Sequence, residues 1–335
     1  MTDLAIALNG QDYTLNNLEF AYYTQPTSLT HLTPIRAGPT AGGSSVTVHG
    51  TGLAAFAGWG APPAAARCRW DGTQVTIPTA LTAGYVVCAT APQLFTRATS
   101  VTLELALNNV DFIEAATLDF TYYVQPLQAR AISPTGGQMR GGTRVTLDGS
   151  GFDAYEGVTT ADVRLGWGDS YATNLTTPFS LAPRRLTVAS FAAAEEGPRG
   201  LRLAMNAQDL VPINASFLYY RQPDEFSSVL PTGGPTRGGT TVTIRGSGFT
   251  RFSTDPSDLL CRFGANHTSA LELGEHRIVC ATPPAAAAST VAVAISLNGV
   301  ETDFSPVGLP GRRNPNLNPN PNPNPTPIPT PTPYP

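Results

Sequence analysis

Four cysteines are the residues whose type and spacing most directly indicate chemistry. Cys68 and Cys88 lie about 20 positions apart, and Cys261 and Cys280 repeat that spacing. An even number of cysteines at a repeated spacing predicts one disulfide in each pair. The alternative is a pair of buried free thiols that pack as small apolar side chains. A disulfide across such a loop contributes about 3 kcal/mol and indicates an oxidising, extracellular compartment.

Three Asn-x-Ser/Thr sequences are candidate sites of N-linked glycosylation. Their acceptors are Asn174, Asn214 and Asn266. A glycan is bulky and requires an exposed attachment point. Asn214 comes just before an aromatic segment, and Asn266 comes just after a strand-like segment, so both are expected in loops.

Residues suited to catalysis or metal binding do not form a recognisable set. The adjacent Glu195 and Glu196 lie in an Ala-rich polar stretch, which favours a solvated loop over an acid–base pair. Gly168–Ser170 lacks the Gly-x-Ser-x-Gly pattern of a nucleophile elbow. The histidines show no metal-ligand spacing; they are His31, His49, His267 and His276. The sequence therefore predicts no enzyme, no cofactor and no metal.

Composition excludes two further classes of protein. The chain has 335 residues, a formal net charge of −4 and only 13% charged residues, and every basic residue is Arg. A mildly acidic chain without a basic run gives nucleic acid little electrostatic attraction. No segment reaches the length of a membrane-spanning helix. Met1–Leu15 does not resemble a signal peptide, and the Ala-, Gly- and Pro-rich composition is typical of a GC-rich genome.

The elements that must position the cysteines recur three times. Gly238–Phe249 reads GGTTVTIRGSGF, Gly141–Phe152 reads GGTRVTLDGSGF, and Gly42–Leu53 is a weaker copy. Paired glycines predict a turn with positive φ, and the alternation that follows predicts a half-buried strand. The middle copy has Leu165 and Val188 at the cysteine positions, and loss of both partners together favours the disulfide interpretation.

The repeats define the predicted organisation of the chain. Residues 1–23 resemble the closing strands of a repeat, and the chain then continues as repeat one (25–123), repeat two (125–220), repeat three (222–304) and a tail (305–335). Repeats one and two end in aromatic strands, whereas repeat three lacks one. Proline in each short linker predicts a stiff array. The alternating Pro-Asn and Pro-Thr tail predicts an extended, disordered segment.

Several blocks in this order resemble the IPT/TIG domain family. The blocks are the glycine-rich opening, Cys-Arg-Trp or Cys-Arg-Phe, Val-Cys-Ala-Thr, and the closing Phe-x-Tyr-Tyr. The resemblance implies an all-β fold of tandem immunoglobulin-like sandwiches. It implies no single function, because the family occurs in plexin-like receptors, in surface proteins, beside DNA-binding domains and in carbohydrate-active enzymes.

The expected function is a non-catalytic extracellular or cell-surface module, a stiff spacer that binds protein or glycan ligands. The loops after the repeated GSGF sequence, Phe152–Thr160 and Phe249–Ser257, are the candidate binding loops. The Pro-rich tail resembles hydroxyproline-rich segments of plant or green-algal wall proteins. Alternatives are an accessory region of a polysaccharide-active enzyme or receptor ectodomain, and a nuclear protein of the transcription-factor type.

The two ends of the chain raise a further hypothesis. Residues 4–23 resemble closing strands without a domain, and repeat three resembles a domain without a closing strand. Donation of that strand between molecules would assemble the chain head to tail. The simpler expectation is a truncated N-terminus, which would also account for the missing signal peptide.

Overall fold

The computed structural model describes residues 2–14, 18–20, 22–25, 28–33, 36–54, 65–124, 128–168, 174–223 and 225–307. The regular secondary structure of those residues consists of strands and short 3₁₀ turns, including Pro256–Asp258 and Glu301–Asp303, which confirms the all-β prediction. The chain divides into two compact units, Met1–Tyr219 and Tyr220–Pro335. The linker residues 125–127 and the tail from residue 308 lie outside the described residues.

Repeat one follows a short hairpin and folds as two facing sheets. The hairpin strands are β1 (Thr2–Leu4) and β2 (Leu18–Phe20). One sheet has the order β3-β5-β9-β8 and the other β4-β11-β10-β6-β7. Its strands are β3 (Leu29–Thr33), β4 (Ala37–Pro39), β5 (Ser45–Gly50), β6 (Arg67–Trp70), β7 (Gln74–Thr76), β8 (Ala80–Leu81), β9 (Tyr85–Ala89), β10 (Thr99–Ala106) and β11 (Phe112–Tyr123).

Repeat two has the same topology. Its sheets have the orders β12-β14-β18-β17 and β13-β20-β19-β15-β16. Its strands are β12 (Gln128–Ser133), β13 (Gly136–Gln138), β14 (Arg144–Ser150), β15 (Arg164–Trp167), β16 (Leu175–Thr176), β17 (Ser180–Ala182), β18 (Arg185–Ala189), β19 (Gly197–Ala204) and β20 (Val211–Tyr220). In repeat one the long last strand β11 lies beside β4, and in repeat two β20 lies beside β13. Both short strands precede the Gly-Gly turn of their repeat.

Repeat three joins its two layers through one continuous strand. Seven strands follow each other in the order β21-β22-β25-β24-β23-β26-β27. They are β21 (Phe226–Leu230), β22 (Thr241–Gly246), β23 (Leu260–Phe263), β24 (Asn266–Gly274), β25 (Arg277–Ala281), β26 (Val293–Ser296) and β27 (Ser305–Pro306). The first part of β24 pairs with β23 and the second part with β25, with a bulge between Ala270 and Glu272. A bulge increases local bending, so one strand serves both layers.

The repeated glycine pair makes the turn that the sequence predicts. The first glycines, Gly42, Gly141 and Gly238, have φ values of 73°, 75° and 79°. A Cβ atom there would lie 2.6–2.7 Å from the backbone that follows β9, β18 and β25. Glycine is therefore required both for positive φ and for close approach. The strands that follow bury alternate side chains; these are Val46 and Val48, Val145 and Leu147, and Val242 and Ile244.

Two strand predictions differ from the structure. The resemblance of residues 1–23 to closing strands predicts a strand over Ile6–Gly10, but the strand lies earlier, at β1, and Ala7 forms only an isolated bridge with Tyr13. In repeat three the apolar run Val291–Gly299 forms a strand only over Val293–Ser296. β10 and β19 are eight residues long because a full closing strand pairs with them, whereas β27 has two residues.

Candidate interaction surface

The closing strands of repeats one and two complete their hydrophobic cores with aromatic side chains. Phe217 meets the Trp167 ring edge-on, with the ring centroids 5.1 Å apart. The Tyr219 hydroxyl donates a hydrogen bond to the Phe191 carbonyl oxygen at 2.8 Å. Repeat one reproduces both features with Phe120 against Trp70 and Tyr122 donating to Ala91. Burial raises the pKa of the Tyr122 and Tyr219 phenols above the ordinary value of 10.0.

Repeats one and two meet at an aromatic stack. Tyr123, the last residue of β11, stacks on Tyr155 of repeat two with the ring centroids 5.7 Å apart. The Tyr155 hydroxyl donates to the Met205 carbonyl oxygen at 3.0 Å. Burial raises the pKa of both tyrosines. The second tyrosine of the Tyr-Tyr pair therefore belongs to the core of the next repeat, as expected for interdomain packing.

A carboxylate reinforces the same junction. Asp209 Oδ2 accepts hydrogen bonds at 2.5 Å from Ser44 Oγ of repeat one and from Asn206 Nδ2. Asn206 Nδ2 also donates to the Ala37 carbonyl oxygen at 3.1 Å. Asn206 Oδ1 accepts the Asp209 backbone N–H at 2.9 Å, which fixes the turn between β19 and β20. Because ionised acceptors form stronger hydrogen bonds, Asp209 anchors this turn to repeat one.

The candidate ligand-binding loop Phe152–Thr160 also contributes to this junction, because its Tyr155 stacks on Tyr123 of repeat one. The corresponding loop of repeat three, Phe249–Ser257, makes similar contacts. Its Phe252 ring lies 5.5 Å from the Tyr220 ring, and Arg251 Nη1 donates to the Gln222 carbonyl oxygen at 3.3 Å. Both loops therefore pack on the tyrosine that precedes their repeat.

Substituting Asp209 tests this junction. Asp209→Ala is expected to reduce hydrogen-exchange protection of repeat one near Ser44 by about 1–3 kcal/mol, because two donors lose their acceptor. Asp111→Ala is the matched control, since Asp111 forms the same turn with Asn108 on an exposed surface. It is expected to have an effect within about 0.5 kcal/mol. Equal effects of both variants would contradict an anchoring role.

The cysteines lie where the two layers of a sandwich face each other. Cys68 on β6 is bonded to Cys88 on β9, with the Cα atoms 6.2 Å apart. Cys261 on β23 is bonded to Cys280 on β25, with the Cα atoms 6.4 Å apart. Each disulfide therefore ties the two layers together. In repeat two the same positions hold Leu165 and Val188, which are completely buried.

The glycosylation candidates are not all in loops. Asn214 lies within β20, on an exposed position at an irregularity of the pairing with β19, which corrects the loop expectation. Asn266 is the first residue of β24, and its Nδ2 atom donates to the Pro284 carbonyl oxygen at 3.2 Å. Asn174 is half-buried and precedes β16. Glycosylation of each remains a prediction.

Repeat three has an open groove where repeats one and two have their aromatic closing strands. The groove has a volume of about 410 Å³. Its apolar lining includes Val229, Val242, Phe263, Pro283, Val291 and Val293. In each repeat the second glycine of the turn donates its backbone N–H to a carbonyl oxygen just past the end of the opposite strand. The residue that follows this acceptor is Ala91 in repeat one, Phe191 in repeat two and Pro283 in repeat three, so these three residues are counterparts.

The described residues show no further chemical site. Among them, no three His, Cys, Asp or Glu side chains cluster in a way that could hold a metal ion. His49 stacks on His31 across β3 and β5, with the ring centroids 4.4 Å apart, and its Nε2 atom lies 2.7 Å from Thr33 Oγ1. Glu195 pairs with Arg199 at 3.5 Å. Over the same described ranges, no helix is long and apolar enough to cross a membrane.

The fold and the repeated sites define a protein of tandem immunoglobulin-like sandwiches. The IPT/TIG domain model matches three consecutive segments, residues 27–122, 127–219 and 225–309. The chain therefore belongs to the IPT/TIG family. A comparison with curated proteins finds no match.

The comparison with solved structures finds matches of low identity. The plexin A4 extracellular region is 16% identical with a TM-score of 0.43; the match covers 89% of this chain, which spans only 26% of that extracellular region. The Escherichia coli adhesin FdeC is 13% identical over 86% of this chain and 100% of its own, with a TM-score of 0.24. A Bacteroides ovatus protein, SGBP-B in complex with a mixed-linkage heptasaccharide, is 12% identical over 92% of this chain and 67% of its own, with a TM-score of 0.23.

Proposed function

We propose that the chain is a non-catalytic interaction module of an extracellular or cell-surface protein. The observation that carries this proposal is the pair of disulfides between sheet layers. The cysteines of Cys68–Cys88 and Cys261–Cys280 are fully buried and bonded. Disulfides persist in oxidising compartments and are rare where cytosolic reductants act.

The junction between repeats one and two supports a role as a spacer. Stacked tyrosines and the buried Asn206 leave this junction well packed, so the two sandwiches hold their surface loops at a defined separation. Ligands of such a module are proteins or glycans that contact exposed loops and sheet edges. The Pro-rich sequence from residue 314 would carry O-linked sugars on Thr or hydroxylated Pro.

The test is the intact mass of the protein isolated from its native cells and from their medium, measured before and after reduction and deglycosylation. A gain in mass of four hydrogen atoms on reduction is expected, because each of the two disulfides takes up two protons and two electrons from the reductant. A further loss of mass is expected when N-linked sugars are removed from Asn174, Asn214 or Asn266 or O-linked sugars from the tail. Free thiols without sugar would overturn the extracellular proposal and favour the nuclear alternative.

A further inference from the structure

Among the residues that the structure describes, none places an aromatic side chain in the groove of repeat three where Phe120 and Phe217 lie in repeats one and two. Built on Gly137, a Cβ atom would lie 2.8 Å from Phe217 Cζ, and on Gly38 it would lie 2.8 Å from Phe120 Cζ. At the counterpart Gly234, the three nearest atoms all belong to Thr240, and none belongs to an aromatic ring. The glycine position therefore borders an aromatic ring in two repeats and an open groove in the third.

The strand beside the groove is also incomplete. β26 covers only Val293–Ser296, and the preceding residues 289–292 have no strand partner among the described residues. Val291 is 46% exposed, whereas its counterpart Val101 on β10 is 4% exposed. An apolar segment next to an unpaired edge is a template for strand addition.

The sequence that follows β27 does not resemble the closing strands of repeats one and two. Val307 still donates a backbone hydrogen bond to Val293 at 2.8 Å. The sequence after it is GLPGRRNPN, which contains no aromatic residue and contains two prolines. Proline has no backbone N–H and cannot donate to a sheet ladder.

A segment with the required sequence lies elsewhere in the chain. Residues 18–23 read LEFAYY, which aligns with LDFTYY of β11 and with ASFLYY of β20. Phe20 is 54% exposed and Tyr22 is 78% exposed, although their counterparts in β11 and β20 are buried. Tyr23 packs against the core of repeat one, as Tyr123 does in the core of repeat two. The hairpin is thus held on repeat one by Tyr23 and presents two unburied aromatic side chains.

We propose that the Leu18–Tyr23 segment of one molecule closes the groove of repeat three in a second copy of the chain. Phe20 would lie beside Gly234, as Phe217 lies beside Gly137, and the Tyr22 hydroxyl would donate to the Pro283 carbonyl oxygen. The segment would pair with residues 289–292 and extend β26 to the length of β10 and β19. The contact is head to tail, so it leaves a free groove and a free strand and produces an open chain of molecules.

This inference goes beyond the proposed function and does not depend on cellular location. The test is sedimentation velocity of the full chain from micromolar to about millimolar concentration. We expect species that grow with concentration beyond the dimer. Phe20→Ser with Tyr22→Ser should raise the dissociation constant by at least about tenfold. Tyr13→Ser is the matched control, because Tyr13 is 64% exposed on the same hairpin, and it should assemble like the original chain.

A mixing experiment tests both partners of the contact. Val291→Arg places a charge in the groove at a partly exposed position, and circular dichroism and thermal unfolding verify that the variant folds. The Val291→Arg variant can still donate its Leu18–Tyr23 segment, but its groove cannot accept one. The Phe20/Tyr22 double variant can still accept a segment in its groove, but it cannot donate one. Each alone should be monomeric, and a mixture should form one-to-one dimers. A wild-type chain that stays monomeric at every concentration, or a mixture that stays monomeric, would overturn the proposal.

Discussion

Reduction of the two disulfides is expected to destabilise repeats one and three by about 3 kcal/mol each and to leave repeat two unchanged. The reason is that each bond closes a loop of about 20 residues between facing layers, which restricts the unfolded chain. Repeat two has the same topology without cysteines, so it is an internal control. Hydrogen exchange resolved by repeat, with and without reductant, measures the difference.

Replacing the cysteines by the residues found in repeat two distinguishes the effect of the covalent bond on stability from the effect of side-chain packing. Cys261→Leu with Cys280→Val introduces the pair that repeat two buries completely at these positions. If the covalent link provides the stability, this variant should behave like the reduced protein. A variant as stable as the oxidised protein would show instead that filling the space between the layers is sufficient.

Phe217→Ala is expected to destabilise repeat two by about 3–5 kcal/mol, because it removes a fully buried ring from the core. The ring contacts Trp167 and Tyr219, with centroids 5.1 Å and 5.0 Å away, so both aromatic contacts are lost. Urea unfolding followed by hydrogen exchange of repeat two measures the loss. The fluorescence of Trp167 provides a second signal.

Phe20→Ala is the control for that substitution, because Phe20 has the same place in the repeated sequence but is exposed. At concentrations where the chain is monomeric, the change in stability should stay within about 0.5 kcal/mol. A loss comparable to that of Phe217→Ala would mean that the N-terminal hairpin already fills a core, which would contradict the availability of its strand. Comparison of the two variants therefore tests whether the loss of stability depends on burial of the phenylalanine ring rather than on its place in the repeated sequence.

Local sequence rules predicted the parts of the fold that depend on short-range geometry. The Gly-Gly turns require positive φ, and the alternation of Val242 and Ile244 follows the two-residue period of a strand. The asparagine turns before the closing strands also appear in the sequence. Asn206 and Asp209 repeat the spacing of Asn108 and Asp111, and this repetition was the available signal for the turn.

Contacts between distant residues were not predictable from the same rules. The role of Asp209 depends on Ser44, 165 positions away in the chain. Tyr155 lies in a loop that the sequence predicts as a candidate for ligand binding, and the sequence does not show that Tyr123 lies against it. The strand predicted from Val291 begins only at Val293, because pairing with a neighbour, and not β propensity alone, determines strand length. The site was therefore less predictable than the fold.

The uneven distribution of disulfides also has a mechanical consequence. A bond that closes a loop of about 20 residues withholds about 70 Å of extended chain when a sandwich is pulled apart. Repeats one and three contain such a bond, whereas repeat two has Leu165 and Val188 at those positions. Under tension along the chain, unfolding of repeat two can therefore release its whole length, whereas the disulfides limit the length that repeats one and three release. Repeat two would be the most extensible of the three.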